Sequence, residues 1–248
     1  MQTRRSIVLN YKSDIDLELV QKMGGDHMVV AAARVSTSGD ECLKYVEPEC
    51  NDENFGLINY LMKHRHGTPF EHAAMTFYVR APIFVWREWH RHRIGFGYNE
   101  ESGRYTKLEP TFYIPSLERA MSKVEKWRAG RPKFAETPTD VNLQVVENLK
   151  KSYELSYQMY EANLDLGIDP GVARSCLPVG IYSRCWVTCN PRSLMAFLSL
   201  RTYEPDRAQF VSYPLKEIEF AARAAEEFFA KGWPLTYKAF CENGRVGP

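Results

Sequence analysis

The spacing of apolar positions changes along the chain, and the changes mark out its elements. Residues 6–11 (SIVLNY) read as a short strand. Asp26 to Val35 has the composition of a helix with small residues suited to close packing. Asn51 or Asp52 is placed to cap a second helix. Its apolar positions Phe55, Ile58, Leu61 and Met62 recur at helical spacing, and Gly67 is placed to stop it. AAMTFYVR alternates from Met75 to Val79, as a half-buried strand does. Pro82 suits the first turn of a helix that turns Phe84, Val85 and Trp89 inward. Charge, glycine and proline make residues 116–140 an excursion. Asp140 to Leu166 is the longest helical pattern, with Val141, Val145, Leu149, Tyr153 and Tyr160 among its apolar positions. Residues 183–190 (SRCWVTCN) read as a strand. Pro191 opens a helix ending at Arg201, and Pro214 opens the last long one, through Phe229. Helices dominate with a few strands between them, which makes the class α+β. No proline- or glycine-rich linker divides the 248 residues, so residues 1–248 are expected to form one domain.

The net charge of +1 argues against general nucleic-acid or membrane-surface binding, which usually shows a strongly basic domain or stripe. The segment MQTRRSIVLNY lacks the apolar run of a signal peptide, and no stretch approaches the roughly 18 apolar residues of a membrane helix. A cytoplasmic protein without a membrane partner is expected. The six cysteines, Cys42, Cys50, Cys176, Cys185, Cys189 and Cys241, form no CxxC pair and no zinc pattern. They read as free, mostly buried thiols. Cys185 and Cys189 sit near other polar residues and are the two from which a nucleophile could come, although no rule singles out either.

There is no GxGxxG after a strand and no GxxxxGK[ST], so a bound nucleotide must be held by side chains. Five of the six histidines lie between residues 64 and 92, and the block from Trp86 to Tyr105 adds Arg87, Arg91, Arg93 and Arg104. Arginine forks match phosphate oxygens because they donate in pairs and stay charged. Close arginines repel unless anions or carboxylates intervene, so the cluster implies a multi-phosphate ligand, partner carboxylates such as Glu88, Glu100 and Glu101, or both. The competing reading is a solvated basic helix face. Trp86, Trp89, Phe96 and Tyr98, interleaved with the charges, count against it. His64, His66, His72 and Glu71 could ligate zinc, but the arginines among them would repel a cation. A second polar patch holds Arg174, Asn190, Arg192 and Arg201; taken alone, Arg201 reads as a charge at a helix C-terminus.

The block RHRIGFGYNEESGRY resembles the signature of flavin-dependent thymidylate synthases. HRHGTPFEH, APIFV, FYIPS, VARSCLP and CNPRSLMAFLSLR have counterparts there in the same order, over roughly residues 25–235. The resemblance implies that family's α+β fold, assembled as a homotetramer with active sites shared between subunits. It implies FAD bound through His66, Thr68, Arg91, His92, Arg93, Glu100, Asn190 and Arg192. It implies a uridine nucleotide held by Glu88, Trp89, His90, Arg91, Glu100, Glu101, Ser102, Gly103, Arg104, Arg174 and Arg201. Arg201 takes the place of the residue that activates the uracil ring, and Ser102 that of the signature serine. NADPH reduces the flavin, and methylenetetrahydrofolate supplies the carbon. No cysteine nucleophile and no metal is needed.

The chain departs from the family pattern in several places. Eight residues, IGFGYNEE, separate Arg93 from Ser102 where the family has seven, and Phe96-Gly97 replaces a serine. Glu88 stands for the usual glutamine, and Ala196 for a polar flavin contact. Deoxyuridylate is the expected substrate. The alternative is a UMP or UMP/dUMP methylase making 5-methyl-UMP for a nucleoside natural product. Outside this family the rivals are a nucleic-acid-binding module and a structural oligomer without chemistry.

Overall fold

The computed structural model describes residues 8–46, 52–119, 121–123 and 134–248. In chain order the elements are β1 (Asn10–Lys12), β2 (Asp16–Met23), α1 (Asp26–Ser38), α2 (Asp52–Lys63), β3 (Ala74–Pro82), α3 (Ile83–Trp89), β4 (Phe96–Glu100), β5 (Thr111–Tyr113), β6 (Ser122–Lys123), β7 (Phe134–Ala135), α4 (Thr139–Asp165), α5 (Pro170–Ala173), β8 (Tyr182–Cys189), α6 (Pro191–Arg201), α7 (Lys216–Gly232) and α8 (Pro234–Glu242). They group into two compact units. The first takes the described parts of Met1–Asp14, Arg80–Arg87 and Glu100–Arg184; the second takes those of Ile15–Val79, Glu88–Asn99 and Cys185–Pro248.

The second unit is built on a four-stranded sheet of order β2-β3-β8-β4. β3 buries Met75, Phe77 and Val79 on one face, as its alternation predicts. β8 does the same with Cys185, Val187 and Cys189. Its outward Thr188 hydroxyl lies 2.9 Å from that of Thr76 on β3. Helix α6 starts and stops where the sequence places it. Asn190 caps it, accepting from the Ser193 N–H at 2.8 Å, and Pro191 fills the first helical position. Leu194, Met195, Phe197 and Leu198 form its buried stripe. Arg192, Ala196, Ser199 and Leu200 fall outside that stripe.

Three expectations at element ends are corrected, and one helix is added. Pro82 ends β3, and the helix starts at Ile83. The helix expected from Pro214 runs from Lys216 to Gly232. A further helix, α8, follows it. Its cap comes from far away, because the Asp26 carboxylate accepts from the Leu235 N–H at 2.8 Å and the Thr236 N–H at 2.9 Å. Helix α2 is closed by Arg65 rather than by Gly67. Arg65 adopts φ 61°, its N–H reaches Met62 O at 3.3 Å, and the His66 N–H reaches Leu61 O at 2.9 Å. That pair of bonds is a Schellman ending, whose left-handed residue is usually glycine.

The first unit centres on α4. Tyr153, Tyr157 and Tyr160 pack with Leu108, Phe112, Ala173 and Ile181. Two of the hydroxyls serve the backbone of Leu108: Tyr157 donates to its oxygen at 2.8 Å, and Tyr160 accepts from its N–H at 3.2 Å. This fixes the chain at Leu108, just beyond the turn that begins at Ser102. β1 pairs in parallel with β5, Tyr11 opposite Phe112. The strand expected at 6–11 is Asn10–Lys12, with residues 6–7 outside the described ones. Of the 116–140 excursion, β6 and β7 form a short antiparallel pair, and residues 120 and 124–133 lie outside the described ones.

Candidate active site

In the second unit, α3 and α6 end beside each other, and Arg201 is held there at three points. Its Nη1 donates to Glu88 Oε2 at 2.8 Å, Nη2 to the Glu88 main-chain oxygen at 3.0 Å, and Nε to His92 Nε2 at 3.1 Å. The fork is mostly buried, with its side chain 19% exposed. Burial raises the Glu88 carboxyl, Arg201 pulls it back, and Glu217 pushes it up again. His92 Nε2 accepts from a cation and must be neutral. Burial, then the Arg201 charge, lowers its pKa to about 4.

The sign of this shift gives a pH expectation. In the unfolded chain His92 takes up a proton near 6.5, whereas in the fold it resists one to about 4. The stability this contributes is complete above about 6.5 and lost as pH falls toward about 4, because there the unfolded chain binds the extra proton. The urea midpoint is expected to drop between pH about 7 and about 5, and His92→Gln to flatten that drop. Equal slopes in both proteins would remove His92 from the account.

The outer side of α6 borders a cavity of about 670 Å³, walled by Ile94, Gly95, Asn190, Arg192, Ala196 and Leu200 among others. Arg192 Nη1 pairs with Glu71 Oε1 at 2.6 Å, and its Nε donates to the Pro248 oxygen at 2.7 Å. Gly67 leaves room for this guanidinium: a Cβ on it would lie 2.4 Å from the Arg192 guanidinium carbon and would push it aside. Gly95 has φ +68°, and a Cβ there would meet Ser193 Oγ at 2.1 Å and Asn190 Nδ2 at 2.8 Å. Gly97 has open space, so of the two loop glycines only Gly95 is required. Arg91 and Arg93 are exposed on the turn after α3. A helix N-terminus capped by an amide, guanidinium groups and apolar walls suits a phosphate-bearing ligand with a flat ring.

In the first unit, Glu100 Oε1 accepts from the Ser183 hydroxyl at 2.6 Å. Glu101 lies 3.7 Å from the Arg184 guanidinium. Ser102 Oγ accepts from the Arg104 N–H at 3.3 Å, and the Ser102 oxygen from Tyr105 and Thr106, which makes 102–106 a tight turn. Gly103 sits against Arg174, whose Cδ would be 3.2 Å from an added Cβ. Arg104 and Arg174 are exposed.

His66 and Thr68 are exposed at the end of α2, His66 5.9 Å from the Tyr60 ring. Trp89 has a different place from the one expected of a nucleotide contact. Its indole is 1% exposed and stacks on Phe197 at 4.9 Å. His90 packs edge-on to Tyr98 at 4.8 Å. Among the described residues no three His, Cys, Asp or Glu side chains gather as a cation cage, and Glu71 is paired with Arg192. The described cysteines are free, and burial pushes the Cys189 thiol up to about 12, far from a thiolate. Cys189→Ala is therefore expected to keep the activity that the resemblance implies within a few-fold of wild type. A folded, ligand-binding variant that makes no product would put the thiol in the chemistry. Arg65 was read with His64 and His66 in the basic run where α2 ends but was given no role, and residues 246–248 escaped the sequence reading.

Residues 18–234 match the family described as Thymidylate synthase complementing protein. The flavin-dependent thymidylate synthase of Streptomyces coelicolor is 46% identical over 240 residues, covering 97% of this chain and 96% of its own. One from Tropheryma whipplei is 44% identical over 243 residues, covering 96% and 97%. The solved structure of the UMP/dUMP methylase PolB from Streptomyces cacaoi bound with 5-Br UMP matches with a TM-score of 0.86 at 44% identity, over 97% of this chain and 99% of that one. Bound with 5-Br dUMP, the TM-score is 0.88 at 43% identity, over 97% and 100%. The chain belongs to this family, the flavin-dependent thymidylate synthases.

Proposed function

We propose that this protein methylates C5 of a uridine 5′-monophosphate reductively, dUMP first of all, with FAD as cofactor and NADPH and methylenetetrahydrofolate as co-substrates. The observation that carries the reading is the Arg201 fork, mostly buried and aimed by Glu88 and His92. C5 of uracil is a weak nucleophile. A fixed cationic fork against the N3/O4 edge stabilises the negative charge that develops there as C5 attacks the one-carbon unit. Glu88 and His92 hold the fork before the nucleotide arrives, which spares reorganisation during the reaction. FAD, when bound, supplies the hydride that completes the methyl group.

The residues fit FAD. Asn190 and Arg192 at the start of α6 suit its phosphates, joined by Arg91, Arg93, His66 and Thr68. Ile94, Ala196 and Leu200 offer apolar surface for a ring. Ser102, Gly103, Arg104 and Arg174 are assigned to the nucleotide, with Arg104 and Arg174 on its phosphate. The protein acts as a single-domain subunit of a homotetramer in the cytoplasm.

A second reading, methylation of UMP beside dUMP, is supported by the 44% identity to a UMP/dUMP methylase. Apolar pockets reject an added hydroxyl only weakly, by about 100-fold. The experiment is direct. Purified protein should be yellow, elute at the mass of four subunits, and lose FAD affinity in Arg93→Ala. A colourless protein that does not take up FAD, or unchanged affinity in the variant, would sink the assignment.

A further inference from the structure

Beyond α8 the chain does not leave the surface. It returns across the cavity beside α6, and the contacts that hold it there are specific. Arg245 is 2% exposed. Its Nη1 meets Glu226 Oε1 at 2.5 Å, and its Nη2 donates to Thr202 Oγ1 at 3.0 Å. Its main-chain oxygen accepts from Ser199 Oγ at 2.6 Å. This anchor delivers Val246, Gly247 and Pro248 to the cavity wall. Gly247 lies so close to α6 that an added Cβ would be 3.2 Å from that of Met195.

The outer end of this strap is held by Arg65. Its Nη1 donates to Val246 O at 2.7 Å and to Gly247 O at 3.0 Å. Pro248 O in turn accepts from Arg192 Nε, so the strap and Glu71 together fix how Arg192 faces the cavity. The backbone of Arg65 adds an independent observation. It carries the left-handed φ of 61° at the closing turn of α2, where glycine is the easy choice. An arginine kept under backbone strain points to a use for its side chain.

We propose that the strap Gly244–Pro248 is a wall of the flavin site and that Arg65 is its positioning residue, setting flavin affinity through the strap and Arg192. The proposal rests on the reading of the cavity as the FAD site. Its ligand class is a dinucleotide whose phosphate reaches the oriented Arg192 guanidinium while a flat ring lies between the strap and the α6 face.

The test uses the purified full-length protein, with FAD affinity measured by quenching of flavin fluorescence and stability by thermal melting without flavin. Arg65→Gly relieves the backbone and removes the side chain. It is expected to melt at the wild-type temperature or above, yet to bind FAD about tenfold more weakly. A residue needed only for folding would lower both. Arg65→Lys, which keeps a donor for the two carbonyls, is expected to recover part of the affinity. Removal of Val246–Pro248 is expected to weaken FAD by at least as much as Arg65→Gly. Wild type that binds no FAD overturns the flavin reading itself. Wild type that binds FAD while Arg65→Gly binds it equally well, or more tightly, overturns the strap as a wall; tighter binding would make the strap a competitor for Arg192.

Discussion

Arg201→Lys is expected to lower methyl transfer about 100- to 1,000-fold, the usual cost of losing one preorganised donor at a site of developing charge. The replacement keeps the charge, so a purely electrostatic role would leave activity nearly intact. What it loses is the planar fork. Arg201 uses Nε, Nη1 and Nη2 at once, on His92, Glu88 Oε2 and the Glu88 carbonyl. An ammonium group on a shorter stem cannot serve all three. The uracil edge would then meet a cation whose direction nothing fixes. Reduction of FAD by NADPH does not involve the fork and is expected to stay within a few-fold of wild type. The two half-reactions are followed separately, by flavin bleaching without nucleotide and by labelled product. Parallel losses in both would mean a folding or flavin defect and would take Arg201 out of its activating role.

Gly95→Ala is the second large effect. The left-handed φ of +68° costs a residue with a side chain about 1–2 kcal/mol. The added methyl group also lies 2.1 Å from Ser193 Oγ and 2.8 Å from Asn190 Nδ2. Ser193 can rotate its hydroxyl aside. Asn190 cannot move so easily, because its Oδ1 caps α6. Strain and crowding together are expected to destabilise the protein by about 2–3 kcal/mol. FAD affinity should fall as well, since Gly95, Asn190 and Ser193 all border the cavity. Gly97→Ala is the control: with nothing within 4 Å of the new methyl group, its urea midpoint should match wild type. Two variants that behave alike would show that the turn after Arg93 is not what shapes the cavity.

The contrast between the two glycines shows what the sequence could and could not reveal. A pair of glycines in a loop one residue longer than usual signals freedom, but not which one uses it. That depends on Ser193 and Asn190, nearly a hundred positions away. Helix α6 was legible from end to end because its signals are local: an asparagine cap, a proline at the first turn and an apolar stripe. Helix α8 was overlooked although Pro234 opens it as Pro191 opens α6; only its cap, Asp26, lies far away in the chain. β2 was overlooked although Ile15, Leu17 and Leu19 alternate with Asp14, Asp16 and Glu18; in the fold its positions are exposed or half-buried. Glu88, His92 and Arg201 were each named from the sequence. Their union in one hydrogen-bonded group required the ends of α3 and α6 to meet. Trp89 turns inward, as the helical spacing predicts, and stacks on Phe197, which leaves its ring away from the charged residues around it in the sequence. The role of Arg65 was hidden because a left-handed helix ending at arginine has no sequence signature.

The central claim is flavin-dependent transfer of a methyl group to C5 of a uridine monophosphate. One product assay tests it most directly: the FAD-loaded protein with NADPH and methylenetetrahydrofolate, given dUMP and UMP in parallel, with apoprotein as the control. The account predicts dTMP from dUMP, a smaller but measurable yield of 5-methyl-UMP from UMP, and neither without FAD. Failure to methylate either nucleotide, or equal product from the apoprotein, would contradict it.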